Sequence, residues 1–138
     1  MVDDVLMNKA ATIERCIQRA KEEYEKSPAT FASDHTRQDA AILNVLRACE
    51  AALDMGQHLV RRERLGIPQS SRDVFTQLAQ AGWIEIALAE RLQKMVGFKN
   101  IALHEYQALQ ISLVEAVITK HLGDFTAYSK VLLLKNLS

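Results

Sequence analysis

Turn-forming residues are scarce in this sequence: five glycines and two prolines among 138 residues leave little punctuation for a many-stranded fold. Cys16 and Cys49 are its two cysteines. They are too few for a disulfide framework or a zinc site, and they read as small buried hydrophobes of a reducing compartment. An excess of either charge is lacking as well, since 17 basic and 17 acidic residues give a formal net charge of zero. Proteins that hold nucleic acid through their overall field are basic. Any nucleic-acid contact here must therefore come from a local patch and be salt-sensitive. No uncharged apolar run reaches the roughly 18 residues of a membrane span, and Met1-Val2-Asp3-Asp4 does not open a signal peptide. The expectation is a cytoplasmic protein with no membrane partner.

What is present is hydrophobe at helical spacing. Apolar residues make up 49 % of the chain and charged residues 25 %, enough for a core in a single domain over residues 1–138. A first helix, capped by Asp3 or Asp4, is predicted to run to about Lys26. Its apolar face is Val5, Ile13, Cys16, Ile17, Ala20 and Tyr24, and it ends at Ser27-Pro28. A second begins near Asp34 to Thr36 and continues to about Arg64. At 100° per residue its apolar positions, Ile42 to Val60, cover about half the circumference. Asn44, Arg47, Glu50, Asp54, His58 and Arg61 are assigned to the polar half, with Leu43 and Ala51 as exceptions. So broad an arc suits a central helix packed on at least two elements. Gly66 suits the helix C-terminus, with Pro68 following. Ser70 or Ser71 then caps a short helix that stops at Gly82. Two further helices are predicted, from about Ile84 to His104 and from about Leu109 to Leu134. The reading is all-α: an antiparallel four-helix up-down bundle with one short inserted helix.

Chemistry concentrates in Met95-Val96-Gly97-Phe98-Lys99-Asn100-Ile101-Ala102-Leu103-His104-Glu105-Tyr106. On a continuous helix Asn100 and His104 are an i, i+4 pair, and Lys99 and Tyr106 share another face. An imidazole transfers protons near neutral pH, and a nearby cation neutralises charge developing on a phosphate. These are the parts of a metal-independent ribonuclease in which the RNA's own 2′-hydroxyl attacks. Taken alone, the stretch favours the plainer reading of a histidine at a helix end and a tyrosine of the core.

The stretch resembles the signature of the HEPN superfamily, in which Arg is followed by a polar residue, commonly Asn, and then by His. It is closer still to the HepT-type version: Arg, four residues, His, one residue, Tyr. Here that reads Lys99, four residues, His104, Glu105, Tyr106. The likeness extends through Leu65-Gly66-Ile67-Pro68, the Ser70-to-Gly82 helix and Leu92 to Phe98. The resemblance implies a HEPN-like domain that is the endoribonuclease toxin of a toxin–antitoxin pair. Lys99, Asn100 and His104 would be catalytic, and Tyr106 would receive AMP from a minimal nucleotidyltransferase antitoxin of the MntA type. ATP would be used by that partner, with no cofactor in this chain. It also implies a homodimer whose two motifs line one cleft, because five residues along a helix turn through about 140° and point Lys99 and His104 of one chain apart. Polar residues of the second helix approach the cleft in the family, which makes Arg47 and Glu50 candidates for lining it.

One residue departs from the pattern. Lys99 stands where the family has Arg, and an ammonium lacks the planar fork that grips phosphate bidentately. The alternative reading is therefore a binding module that docks a nucleotidyltransferase or a nucleotide without cutting RNA. A third is a helical interaction protein in which His104 and Tyr106 are structural. Arg61-Arg62-Glu63-Arg64 is a small basic run, read as a solvated helix end with RNA or an acidic partner as the other option. Glu105, Asp124, His104 and His121 do not follow a metal-ligand spacing, so neither a catalytic metal nor a DNA substrate is expected.

Overall fold

The computed structural model describes residues 2–137, and these fold as helices around one apolar core. Helix α1 spans Asp4–Glu25. Asp3 is its cap, its carboxylate accepting from the Val5 and Leu6 N–H groups at 3.0 and 3.2 Å. Helix α2 spans His35–Arg62, capped by Asp34, and lies along α1 in the most extensive helix pairing of the molecule. A 3₁₀ turn over Pro28–Ser33 joins the two. Arg37 of α2 locks that junction, because its guanidinium donates to the carbonyls of Glu23, Tyr24 and Ser27. The orphan acceptors at the end of α1 are thereby satisfied.

Helix α3 (Ser71–Gln80) is capped by Ser70, whose hydroxyl accepts from the Asp73 N–H. It ends in a turn where Gly82 takes a left-handed φ of 83° and Trp83 N–H reaches back to the Leu78 carbonyl. Helix α4 spans Ile86–His104. The last predicted helix is interrupted: α5 (Ile111–Ala116) passes through a π-helical turn at Val117–His121 into α6 (Leu122–Asn136). Counting α5, the turn and α6 as one rod gives four long helices with α3 inserted, the expected architecture.

Burial corrects four expectations. On α1, Leu6 is in the core and Val5 is exposed. At the end of α2 the left-handed turn residue is Arg64, with φ 55°, and Gly66, with φ 121°, follows two residues on. The Leu65 N–H closes on the Val60 carbonyl there, so hydrogen bonding closes the helix end ahead of Gly66. Asn44 and Ala51 are both buried, because α2 is enclosed by α1, α3, α4 and α6 over more than the apolar half. Gly56 shows how tightly: a Cβ placed on it would lie 2.6 Å from Val74 Cγ1 and 2.7 Å from the Tyr128 hydroxyl. Tyr128 is itself buried, donating to the Ala52 carbonyl and packing edge-on against Phe75. No helix among the described residues is long and apolar enough to cross a membrane.

Candidate active site

The motif occupies the last turns of α4, with His104 its final residue. At Glu105 the backbone leaves the helix (φ −136°, ψ 47°), and Tyr106 opens a 3₁₀ turn to Ala108. Lys99 and Tyr106 therefore do not share a helical face as expected. No glycine or proline marks this break, and tertiary contacts supply it. Leu109 packs against the core, and the Tyr106 hydroxyl donates to the Asp39 carboxylate of α2.

Helix α2 supplies the facing stripe. Asp39, Leu43, Arg47, Glu50, Asp54 and His58 recur at steps of three and four, so they project along one side. Glu50 forms an ion pair with Lys99. The lysine side chain is only 13 % exposed while that of Glu50 is 55 % exposed, so the carboxylate reaches in to the ammonium rather than the reverse. Asp39 holds Tyr106, a residue 46 % exposed beside a groove of ≈ 450 Å³ that His35, Gln38, Ile42 and Leu109 also line. The hydrogen bond to Asp39, with partial burial and the carboxylate's charge, pushes the phenol up to about 12. Tyr106 is thus neutral, accessible and already bonded to a proton acceptor.

His104 and Asn100 are exposed, and neither side chain has a hydrogen-bond partner among the described residues. The structure thus joins Lys99 to Glu50 and Tyr106 to Asp39, and leaves the imidazole open to solvent. Of the two candidate cleft residues on α2, Glu50 meets the motif, while Arg47 faces a groove between α1 and α2. Cys49 sits in the core behind Lys99, its thiol pushed up to about 12 by burial, which makes it inert. One member of the basic run has a structural role: Arg62 bonds Asp3 and Asn136 and lies over the Trp83 ring. Asp54 and His58 pair with Lys9 and Asp3 of α1.

Asp39 is a site residue that the sequence reading passed over. Its signal was present, since it extends the Arg47–Glu50–Asp54–His58 stripe toward the N-terminus of α2 at the same helical spacing. What hid it was the long separation from Tyr106, 67 residues along the chain.

The family described as ribonuclease HepT-like matches residues 13–132. The chain is 47 % identical over 131 residues to the mRNA nuclease HepT of Shewanella oneidensis, covering 95 % of this chain and 98 % of that protein. Among solved structures, it is similar to the tri-AMPylated Shewanella oneidensis HEPN toxin in complex with its MNT antitoxin. There the TM-score is 0.91 and the identity 46 %, over 95 % of this chain and 98 % of that one. A toxin–antitoxin structure with AMP-PNP matches at a TM-score of 0.90 and 46 % identity, over 95 % and 99 % of the two chains. This chain belongs to the HepT-like ribonuclease family.

Proposed function

We propose that this chain is the endoribonuclease toxin of a toxin–antitoxin pair, silenced when a nucleotidyltransferase antitoxin attaches AMP to Tyr106. The observation that carries the reading is the Lys99–His104–Tyr106 motif, with His104 and Tyr106 exposed, in a chain 47 % identical to an mRNA nuclease. In cleavage, the RNA 2′-hydroxyl attacks the adjacent phosphorus and the 5′-oxygen leaves, giving a 2′,3′-cyclic phosphate. His104 serves as the general acid–base, Lys99 neutralises the charge gathering on the phosphate, and Asn100 supports it by hydrogen bonding. The chain acts as a homodimer in the cytoplasm, the two motifs sharing one cleft, so that each His104 works opposite its partner's lysine.

In silencing, the Tyr106 hydroxyl oxygen forms a bond to the α-phosphorus of ATP, the bond to pyrophosphate breaks, and the phenol proton passes to Asp39. A carboxylate already bonded to the attacking hydroxyl plays the part of the kinase catalytic aspartate. The attached nucleotide adds bulk and a negative phosphodiester at the Asp39 end of the motif, which repels incoming RNA.

Incubating purified protein with RNA and a chelator, beside His104→Ala, tests cleavage. Wild-type cutting that the variant lacks is expected, and equal behaviour of the two would remove the catalytic assignment. The Lys99–Glu50 ion pair favours a second reading, a binding module in which the lysine is already neutralised. Glu50→Gln separates the readings. Cleavage that appears only in that variant assigns the natural chain to docking rather than cutting.

A further inference from the structure

A second polar groove, of ≈ 330 Å³, runs between α1 and α2 on the side of α2 that carries Arg47. Three guanidinium groups, Arg15, Arg19 and Arg47, line it, and none has an anionic partner among the described residues. The groove's two carboxylates are spoken for: Asp54 pairs with Lys9, and Glu50 with Lys99 outside the groove. A chain of zero net charge thus keeps three uncompensated cations in one concavity.

Asn44 lies in the same wall, 5 % exposed. Its amide nitrogen donates to the Ala40 carbonyl at 2.9 Å, and its side-chain oxygen is buried with no partner. An unsatisfied buried acceptor costs about 1–3 kcal/mol, and such groups in native proteins are met by ordered water or a bound group or mark strain. The groove therefore offers grips for an anion beside an acceptor for a hydroxyl or amine. Glu50 is common to this groove and to the Lys99 pair, so the concavity leads to the catalytic motif.

We propose that the α1–α2 groove is a substrate subsite that holds one nucleotide of single-stranded RNA beside the cleavage point. A backbone phosphate lies in the arginine fork, where planar guanidinium donors match phosphate oxygens. The Asn44 amide, its Oδ1 closed off in the free chain, turns toward the groove to accept from the ribose 2′-hydroxyl. DNA lacks that donor, so the same asparagine discriminates against it. The volume suits one nucleotide, at the small end of ligand pockets. This inference rests on the ribonuclease reading for its substrate, and its test keeps the two apart.

Binding is measured on the full chain carrying His104→Ala, so that nothing is cut. The probes are a labelled single-stranded RNA of mixed sequence, DNA of the same sequence, and AMP, followed by fluorescence anisotropy or competition across a salt series. Arg15→Gln with Arg19→Gln is expected to weaken RNA binding tenfold or more. The slope of log affinity against log salt should flatten by about 0.7–1.4, the effect of one or two lost phosphate contacts on a single strand. Asn44→Leu, similar in volume, should cost about fivefold for RNA and leave DNA unchanged, with circular dichroism checking the fold. Should Asn44→Leu unfold the chain, the arginine pair on exposed positions still decides. Unchanged affinity and slope in the arginine double variant overturns the subsite, even where the wild type cuts RNA. Loss of nucleotidyltransferase capture with RNA binding intact also overturns it, making the groove a protein-docking face. Competition by AMP equal to that of RNA reassigns the site to free nucleotide and overturns the RNA subsite. Weakened RNA binding by a chain whose wild type fails to cut upholds the groove as an RNA-binding site and removes the ribonuclease reading alone.

Discussion

A hydroxyl that attacks phosphorus must lose its proton, and Tyr106 already shares its proton with Asp39. A phenol held up to about 12 is not a ready phenolate, so the modification depends on a base at the moment of attack. Asp39→Asn keeps a hydrogen-bonding partner of the same shape but removes the acceptor for a full proton. Transfer of AMP to Tyr106 by the cognate antitoxin is expected to slow by about 10²-fold or more, read by mass spectrometry over time. The same variant lowers the phenol's titration toward its ordinary value near 10, followed by the absorbance of tyrosinate. The sign is fixed by the raised folded-state value: the bond stabilises the fold below the ordinary phenol range and is lost as pH rises through about 12. An unaltered titration in Asp39→Asn would show that the hydrogen bond is not made in solution. RNA cleavage by this variant should persist, since Asp39 takes no part in the attack of the 2′-hydroxyl.

At the scale of elements, the junctions hold the site more than the rods do. Asp3 caps α1 and also ties it to α2, its carboxylate 2.7 Å from both His58 and Arg62. Burial works against its charge, but hydrogen bonds from His58, the Leu6 N–H and Arg62 outweigh it and hold the carboxyl at about 2. A depressed folded-state value means that this stabilisation is present above pH of about 4 and lost as pH falls toward 2. Asp3→Ala should lower stability by about 1 kcal/mol at neutral pH, and the gap from wild type should close across that acid window in urea titrations. Gly56 belongs to the same scale, since it lets α3 and α6 approach α2. Gly56→Ala gains helix propensity worth about 0.5–1 kcal/mol but drives a methyl into Val74 and Tyr128. The net effect expected is a loss of about 1–3 kcal/mol in chemical denaturation. Tyr128→Phe in the same background should recover part of it by removing one of the two clashing atoms.

For the whole molecule, the geometry of one chain leaves the proposed chemistry divided. Lys99 is mostly buried against α2, while His104 stands exposed at the helix end. Exposed apolar side chains flank the motif residues, Leu43 on the stripe of Asp39 and Arg47, and Leu103 beside His104. Burying that face against a second copy would bring one chain's imidazole to the other's lysine and enclose the leucines together. Size-exclusion chromatography with light scattering should give about twice the 15.5 kDa chain mass. A monomer at micromolar concentration would leave His104 without its cation and sink the composite cleft. Leu103→Asp should split the dimer and abolish cleavage while the helical content is kept.

Local patterning alone determined a good deal of this protein. The spacing of apolar residues and the caps Asp3, Asp34 and Ser70 set the helices to within a few residues, because propensity, period and capping act over one or two turns. The stretch from Lys99 to Tyr106 stood out because its polar groups lie within eight consecutive positions, but the resemblance to a family signature was needed to read it as a site. The end of α4 at His104 was expected and is observed, but only the tertiary structure decided where Tyr106 goes beyond it, through the packing of Leu109 and the bond to Asp39. It also decided that Asn44, polar and on the outer half by period, is buried, because α2 is covered on more sides than its apolar arc covers. The pairs Lys99–Glu50 and Tyr106–Asp39 join residues 49 and 67 positions apart. Contacts of that range depend on how whole helices pack, which no local period encodes.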